Sequence, residues 1–290
     1  MTAPTYLIDA SIFIFRAWFA LPGDITTRDG QPANAVHGFA RFVHGLLQSE
    51  RPQRIAFAFD EHLETSHRHA LLPAYKANRP PAPEALSRQF PWCRALVEAL
   101  GVTAVSSLHF EADDVIGTLA DQERERGRTV TLVTGDKDLA QLITPGDHWW
   151  DPRHPNRLDP AGIEKRLGVR PDQVADQLAL AGDKVDNIPG IPGVGMATAA
   201  RLLRRAGTLP ALLEDIPAIG RMPLRGARRL MTLVETHQDT VRLSRQLTGI
   251  HCDTDLPPGL TLERGPVDAA RLTDLAHHMD LPTPRLHEPA

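Results

Sequence analysis

The sequence has few features of a secreted or membrane-bound protein. Only two cysteines, Cys93 and Cys252, occur among 290 residues, and neither belongs to a Cys-x-x-Cys pair. A disulfide framework or a zinc site is therefore not expected. No apolar run reaches the length of a membrane span, and the N-terminus lacks the charged-then-apolar pattern of a signal peptide. We expect a cytoplasmic protein with a core domain and a smaller second domain.

The net charge of −4 is unevenly distributed along the chain. Two stretches are basic, and a nucleic-acid partner is therefore compatible with the acidic total. The first contains Arg68, Lys76, Arg79, Arg88 and Arg94, and the second contains Arg201, Arg204, Arg205, Arg221, Arg225, Arg228 and Arg229. Taken alone, either stretch could equally be a solvated helix face.

Acidic residues recur at the ends of apolar, strand-like runs or at the starts of predicted helices. The nine are Asp9, Asp60, Glu111, Asp113, Asp114, Asp136, Asp138, Asp183 and Asp186. Carboxylates that are brought together repel one another unless protons or cations neutralise them. Oxygen ligands without a matching His/Cys set indicate Mg²⁺ or Mn²⁺. Helix capping could explain one or two of the residues at 111–114, but not the recurrence at strand ends.

Strand-like and helix-like segments alternate through the first half of the chain. Strands are predicted at Tyr6–Asp9, Arg54–Asp60, Gly101–Val105 and Thr129–Thr134, with helices at 11–20 and 115–126. This alternation is typical of a parallel sheet, in which ligands gather outside the carboxyl ends of the strands. Asp9, Asp60 and Asp136 fall at or just after such ends.

The second half of the chain is predicted to be mainly helical. Proline and glycine turns begin near residue 145, and helices are predicted at 162–167, 171–181 and 197–206. The Gly193-Val-Gly195 turn precedes the last of these helices. Such a turn can bind phosphate through free backbone N–H groups, although Gly-x-Gly alone is a weak signal. Its proximity to Asp183 and Asp186 makes the combination specific.

Six motifs, in order, resemble the bacterial 5′-3′ exonuclease and flap endonuclease family, which includes the N-terminal nuclease domain of family A DNA polymerases. The motifs are Leu7-Ile-Asp9, Phe57-Ala-Phe-Asp60, Tyr75-Lys-Ala-Asn-Arg-Pro-Pro81, Glu111-Ala-Asp-Asp-Val-Ile-Gly117, Thr134-Gly-Asp-Lys-Asp-Leu139 and Gly182-Asp-Lys-Val-Asp-Asn-Ile-Pro-Gly190. No polymerase follows them, so the chain resembles a stand-alone member.

The resemblance implies a PIN-like (Rossmann-like) α/β core with a helical arch, followed by a helical domain with a helix-three-turn-helix. The corresponding domains are 1–168 and 169–255, with a C-terminal extension at 256–290. The implied activity is hydrolysis of DNA that carries a 5′ end or a 5′ flap, in replication or repair. Neither a membrane nor an obligate protein partner is implied.

The resemblance also assigns roles to the acidic residues. One divalent metal is held mainly by Asp9, Asp60, Glu111, Asp113 and Asp136. A second is held by Asp138, Asp183 and Asp186, with Asp114 nearby. Two such ions activate water and stabilise the departing oxygen. Because all nine family positions are acidic, we expect a catalytically competent enzyme.

The DNA contacts implied by the resemblance lie in two segments. In the arch, Lys76 and Arg79 act on the reacting and neighbouring phosphates and Tyr75 stacks on a base, while Arg16 and Arg68 contact phosphate. In the helix-three-turn-helix, the binding residues are Gly190, Gly193, Gly195, Thr198 and Arg201, and K⁺ is held on loop carbonyls.

This chain departs from the family pattern at two positions. Ala197 replaces a phosphate-contacting lysine, for which Arg201, Arg204 or Arg205 could compensate, and His37 replaces a tyrosine. Both changes bear on affinity rather than on the reaction type.

Two other interpretations stay open. A PIN-like ribonuclease would share the acidic cluster but would normally lack the arch and the helix-three-turn-helix. A non-catalytic, structure-specific DNA-binding protein would gain nothing from nine carboxylates beside phosphates, which repel DNA in the absence of metals.

Overall fold

A five-stranded parallel sheet forms the centre of the N-terminal part of the protein. The computed structural model describes residues 3–60 and 66–281. The strands are β1 (Thr5–Asp9), β2 (Arg54–Ala58), β3 (Thr103–Val105), β4 (Val130–Val133) and β5 (His148–Trp150). Their order is β3-β2-β1-β4-β5, and every neighbouring pair is parallel. The parallel sheet predicted from the sequence is thus confirmed, and its order reverses direction between β1 and β4.

Strand β5 was not predicted, because His148–Trp150 lies in a segment dominated by turn residues. It forms the edge of the sheet, where Trp149 is buried. The Trp149 indole N–H donates a hydrogen bond to the Asp136 carbonyl oxygen at 2.8 Å. This edge strand therefore supports the loop that carries Asp136.

Helices cover both faces of the sheet because successive strand residues point to opposite sides. Leu7 packs with the core on one face, whereas Ile8 packs with the core on the other. The helices of this part are α1 (Ala10–Ala20), α2 (Asn34–Glu50), α3 (His67–Leu71), α4 (Glu84–Ser87), α5 (Phe90–Ala99) and α6 (Ala112–Glu125). Residues from α1, α2 and α5 line the core that contains Ile8, and residues from α6 line the core that contains Leu7.

The segment predicted as a helical arch has little regular helix in the described residues. After α3, residues 73–79 form consecutive turns, and α4 begins only at Glu84. Prolines at 80, 81 and 83 separate the two short helices, because proline lacks the N–H that a helix interior needs. We refer to residues 73–79 as the arch turn.

The second half of the chain is helical, as predicted. Its helices are α7 (Pro160–Leu167), α8 (Val174–Ala181), α9 (Met196–Ala206), α10 (Leu209–Glu214), α11 (Ile216–Ile219), α12 (Ala227–Thr236) and α13 (Gln238–Thr248). Leu178 and Leu203 belong to the same buried cluster as Leu119 and Leu132. The sheet and the helical half therefore share one apolar core. Across the described residues, no helix is long and apolar enough to span a membrane.

The chain after residue 255 returns to the sheet. The Ile55 N–H donates to the Leu262 carbonyl oxygen and the Gly265 N–H donates to the Gly101 carbonyl oxygen, at 2.8 and 2.7 Å. Helix α14 (Ala269–His278) follows. Its Leu272 is fully buried in the core with α2 and α5. Of the predicted extension 256–290, residues 282–290 lie outside the described residues.

Candidate active site

Two aspartates of the candidate site lie at the carboxyl ends of neighbouring strands. Asp9 ends β1 and caps α1 by accepting a hydrogen bond from the Ile12 N–H, while its other oxygen accepts one from the Thr134 hydroxyl at 3.0 Å. Asp60 follows β2, and its carboxylate accepts a hydrogen bond from the Ala112 N–H at 2.9 Å. The start of α6 is thereby joined to the end of β2. The reversal in strand order between β1 and β4 is the place where parallel sheets commonly bind ligands.

Four carboxylates repel one another at this edge of the sheet. Burial, together with the charges of Asp60 and Asp136, raises the pKa of Asp9 to about 7. Burial and the charges of Asp136, Asp9 and Asp60 raise the pKa of Asp113 well above its ordinary value. We refer to Asp9, Asp60, Asp113 and Asp136 as the central carboxylates. The predicted convergence of strand-end residues is thus present.

Glu111 lies beside the central carboxylates and is engaged by basic and hydroxyl groups. Its Oε2 accepts a hydrogen bond from the Lys76 ammonium at 2.7 Å and one from the Tyr75 hydroxyl at 3.1 Å. Although burial opposes ionisation, the charges of Lys76 and Arg68 hold the pKa of Glu111 below its ordinary value. Its Oε1 is buried without a hydrogen-bond partner.

The arch lysine is charged in this environment. Burial favours the neutral amine, but the carboxylates of Glu111 and Asp186 hold the pKa of Lys76 above its ordinary value. Arg79 makes an ion pair with Asp186, whose other oxygen lies 3.4 Å from the Tyr75 hydroxyl. Tyr75, Lys76 and Arg79 therefore all contact acidic residues of the predicted site. Because Tyr75 is buried and bonded through its hydroxyl, this arrangement does not present it for base stacking.

Lys137, for which no role was predicted, forms ion pairs with two carboxylates. Its ammonium lies 3.1 Å from Asp138 and 2.8 Å from Asp183. Burial and the charge of Asp136 raise the pKa of Asp138 to about 7, although Lys137 acts in the opposite direction. The sequence signal was its place between two acidic residues in Asp136-Lys-Asp138, where a cation offsets like charges.

Asp114 and Arg68, predicted as a metal ligand and a phosphate contact, pair with each other. The Arg68 guanidinium donates to both oxygens of Asp114 at 2.7 and 2.8 Å, and both side chains are buried. Asp114 also accepts hydrogen bonds from the N–H groups of Glu111 and His251, at 3.2 and 2.9 Å. Both oxygens of Asp114 are thus engaged by groups of the protein. The two side chains form a buried ion pair in this structure, and their roles as a metal ligand and a phosphate contact stay predictions.

Arg16 lies against the loop that carries Asp136. It makes two hydrogen bonds to Asp151, at 2.9 and 3.0 Å, and Arg153 binds the same carboxylate. A Cβ atom at Gly135 would meet the Arg16 guanidinium at 1.6 Å, so a side chain there would displace Arg16. One carboxylate shared by two guanidiniums leaves one positive charge. This excess remains compatible with the predicted phosphate contact by Arg16.

The predicted phosphate-binding turn adjoins the acidic loop. A Cβ at Gly190 would meet the backbone of Gly182 at 2.2 Å, so the two segments are in close contact. Gly193 has φ +82°, in the left-handed region. Gly195 is the N-cap of α9, and no atom lies within 4 Å of the position where its Cβ would be. Thr198 lies in the first turn of α9.

Basic side chains lie on the helix that follows this turn and, in one case, beside the turn itself. Arg201, Arg204 and Arg205 are exposed on α9. The guanidinium of Arg229 in α12, a position without a predicted role, would lie 3.8 Å from a Cβ atom added at Gly193. No sequence signal distinguished Arg229 from the other arginines of its stretch.

His37, the second departure from the family pattern, contacts the C-terminal segment. Its Nε2 lies 2.7 Å from the Met279 carbonyl oxygen. The ring is thus engaged within the protein.

The acidic groups do not form a finished metal site as they stand. Among the described residues, no group of three or more Asp, Glu, His or Cys side chains has the arrangement of a metal centre. Lys76, Lys137 and Arg79 form ion pairs with Glu111, Asp183 and Asp186, respectively. The donor set nevertheless fits a hard divalent cation, because it consists of oxygens, its central members repel one another, and Glu111 has an unpartnered buried oxygen.

Comparisons with known proteins agree with this geometry. Residues 4–168 match the family model of the 5′-3′ exonuclease N-terminal resolvase-like domain, and residues 169–269 match that of the 5′-3′ exonuclease C-terminal SAM fold. The chain is 34% identical to a 5′-3′ exonuclease of Aquifex aeolicus, over 87% of this chain and 83% of that protein. It is 39% identical to DNA polymerase I of Rhizobium leguminosarum, over 89% of this chain and 25% of that protein. The chain therefore spans about a quarter of that polymerase.

Solved structures share the fold. The T5 5′-exonuclease with bound divalent metal ions (zinc) superposes with a TM-score of 0.67 at 18% identity, over 84% of this chain and 89% of that one. The catalytic core of Rad2 in complex with a DNA substrate superposes with a TM-score of 0.64 at 16% identity, over 96% of this chain and 88% of that one. At such identities the likeness establishes the fold.

Proposed function

The chain belongs to the 5′-3′ exonuclease family, and we propose that it is a divalent-metal-dependent nuclease that hydrolyses DNA from a 5′ end and cleaves 5′ flaps. The observation that carries the proposal is the set of central carboxylates next to the charged Lys76. A buried acidic cluster beside a cation suits a reaction in which metal ions and a basic side chain act on a phosphodiester. A cytoplasmic location is part of the proposal, because the proposed substrate is DNA.

The residues that would hold two Mg²⁺ or Mn²⁺ ions divide into an inner and an outer set. Asp9, Asp60, Glu111, Asp113 and Asp136 would hold one ion, and Asp138, Asp183 and Asp186 would hold the other. Bound ions of this kind supply an activated water and charge stabilisation of the leaving oxygen. Lys76 already neutralises Glu111 of the inner set and Lys137 already neutralises Asp183 of the outer set, so both ammonium groups would have to move as ions bind.

The basic side chains of this chain would hold and orient the DNA. Lys76 would contact the reacting phosphate, where its charge acts most strongly as negative charge develops. Arg79 and Arg16 would contact neighbouring phosphates. The turn at Gly190, Gly193 and Gly195, with Thr198 and Arg201, would hold the backbone of the duplex portion, with K⁺ on its loop carbonyls.

The test is cleavage of three labelled substrates, a 5′-flap DNA, a nicked duplex DNA and a single-stranded RNA. Each is incubated with Mg²⁺, with Mn²⁺ and with a chelator. We expect metal-dependent release of short 5′ products from both DNA substrates and none with the chelator. Cleavage of the RNA alone would indicate a PIN-like ribonuclease. Binding of flap DNA without cleavage at any metal concentration would indicate a non-catalytic binding protein.

A further inference from the structure

The arch turn is attached to the loop that carries Asp183 and Asp186. This loop, Asp183–Ile188, is closed by reciprocal backbone hydrogen bonds between Asp183 and Ile188, at 3.0 and 2.8 Å. The Lys76 N–H donates to the Asp186 carbonyl oxygen at 2.9 Å. The backbone of the arch lysine is therefore bound directly to the backbone of an acidic residue from a segment more than a hundred positions away.

Two asparagine side chains, one from each segment, add hydrogen bonds to this attachment. The Asn78 side chain donates from the arch turn to the Lys184 carbonyl oxygen at 2.7 Å. The Asn187 side chain donates from the loop to the Ala74 carbonyl oxygen at 2.6 Å. Each segment thus supplies one side-chain amide to the backbone of the other. We call these two bonds the asparagine clamp.

Backbone conformation indicates why a clamp is needed. Lys76 has φ +55° and Asn187 has φ +56°, both in the left-handed region. Asparagine tolerates this region well, whereas lysine adopts it rarely and at some cost. Such a conformation persists when the surrounding structure enforces it, and strained residues cluster at functional sites. The clamp flanks Lys76 on both sides and holds it in this conformation.

We propose that Asn78 and Asn187 are positioning residues that fix the arch turn to the 183–188 loop, so that Lys76 and Asp186 take their working positions together. This inference rests on the proposed nuclease function. Neither asparagine touches the central carboxylates. Both act through the backbone positions of Lys76 and of the loop, and their effect should therefore appear in the rate of the chemical step rather than in the affinity for DNA.

The principal variant is Asn187→Gly, because glycine accepts the positive φ and only the side-chain hydrogen bond is lost. Asn78→Ala removes the other half of the clamp. Asn156→Gly is the matched control, since Asn156 lies exposed in the loop after β5 and outside the clamp. Single-turnover cleavage of a 5′-flap DNA, the dissociation constant for the same DNA in chelator, and the rate of tryptic cleavage after Lys76 are measured for each protein.

We expect each clamp variant to lower the single-turnover rate about tenfold and to change the dissociation constant less than about twofold, because misplacement of a reacting group acts on the chemical step. Tryptic cleavage after Lys76 should become faster in both variants and stay unchanged in Asn156→Gly. Combining Asn187→Gly with Lys76→Ala should slow the reaction by less than the product of the two single losses, because the clamp acts in part through Lys76.

Three results would overturn the inference. They are an unchanged rate in Asn187→Gly, unchanged proteolysis in both clamp variants, or losses that multiply in the double variant. If the wild-type protein released no product from any DNA, the proposed function would fail. Proteolysis would still decide whether the clamp holds the arch turn.

Discussion

Lys76 neutralises Glu111 in the free protein, and in the proposed reaction its charge acts on the phosphate. The variant that removes this charge is Lys76→Ala. In Lys76→Ala we expect the single-turnover rate on flap DNA to fall by about 10² or more, because a charge aimed at a reacting phosphate acts mainly in the transition state. DNA affinity should change much less. Rapid-quench kinetics with excess enzyme, together with a binding titration, measure both quantities. An unchanged rate with a higher dissociation constant would make Lys76 an ordinary phosphate contact.

Asp136 contributes negative charge to the central carboxylates, and its removal should abolish cleavage without unfolding the protein. In Asp136→Ala we expect less than about a tenth of wild-type activity at saturating Mg²⁺, since metal catalysis supplies several kcal/mol. Added Mg²⁺ should raise the melting temperature of the wild type and do so less in the variant, because a cation offsets the repulsion among these groups.

Asp136→Asn is the matched control for that experiment. Its side-chain oxygen can still accept the hydrogen bond from the Asp138 N–H, which is 2.9 Å long in the wild type. Loss of activity in both variants assigns the effect to the charge. Full activity in Asp136→Asn would remove Asp136 from the catalytic set.

Arg68 and Asp114 form a buried pair, so breaking it should affect stability first. In Arg68→Ala, Asp114 is left buried without its cation, and we expect the free energy of unfolding to fall by about 3–5 kcal/mol. Denaturant unfolding measures the change. The double variant Arg68→Met with Asp114→Leu should recover part of the loss because no buried charge remains. If Arg68→Ala had normal stability but bound DNA more weakly, the result would support the phosphate contact that the sequence predicts for Arg68.

At the scale of single residues, the sequence predicted which side chains carry charge near the site but not which of them pair. Asp9 and Asp60 were found because a parallel sheet brings strand ends together. The pairing of Arg68 with Asp114, and of Lys137 with Asp183, depends on contacts between segments 46 residues apart in each case. No local pattern encodes such contacts, so a buried arginine could not be distinguished from one that faces DNA.

At the scale of elements, α9 presents the site of a testable departure from the family pattern. Ala197 is exposed in the first turn of α9, next to the Gly195 cap. In Ala197→Lys we expect tighter binding of duplex-containing flap DNA and a slope of log affinity against log salt that is steeper by about 0.9, the effect of one added phosphate contact. Binding of a single-stranded oligonucleotide should change much less.

The arginines around that turn supply the control. An unchanged slope in Ala197→Lys has two readings: a guanidinium already occupies the phosphate position, or the first turn of α9 does not face DNA. In the first case, an arginine variant loses a phosphate contact. Arg229→Ala and Arg201→Ala should then differ, and the variant with the shallower slope identifies the residue. Unchanged slopes in all three variants would show that the first turn of α9 does not face DNA.

Most strands and helices were predicted well, whereas β5 and the arch turn were not. The predicted strand at 54–60 and helix at 197–206 correspond to β2 and α9 within two residues at each end. Strand β5 has only three residues, and its pairing with β4 comes from the tertiary structure. The arch turn was expected to be helical, but its contacts with the 183–188 loop hold it in turns.

At the scale of the whole molecule, the chain after residue 255 closes the structure in a way that no motif indicated. Backbone hydrogen bonds at Leu262 and Gly265 join this segment to β2 and to the turn after α5, and α14 then packs against α5, with Leu272 in the core that also contains residues of α2. A Cβ at Gly101 would meet the Gly265 carbonyl oxygen at 2.3 Å, so the backbones are in close contact. The two family domains are thus joined by their common core and by this returning segment.

The returning segment should therefore contribute to the stability of the nuclease core. Leu272 is fully buried, and in Leu272→Ala we expect the free energy of unfolding to fall by about 2–5 kcal/mol, the range for large-to-small changes in a core. Arg271→Ala, at the exposed neighbouring position, is the control and should change stability by less than about 1 kcal/mol, because it loses a surface ion pair with Glu98. Denaturant unfolding measures both, and single-turnover cleavage below the transition should be unchanged, since α14 touches no carboxylate of the site. If the free energy of unfolding of Leu272→Ala is no lower than that of Arg271→Ala, then the packing of α14 does not contribute to the stability of the core.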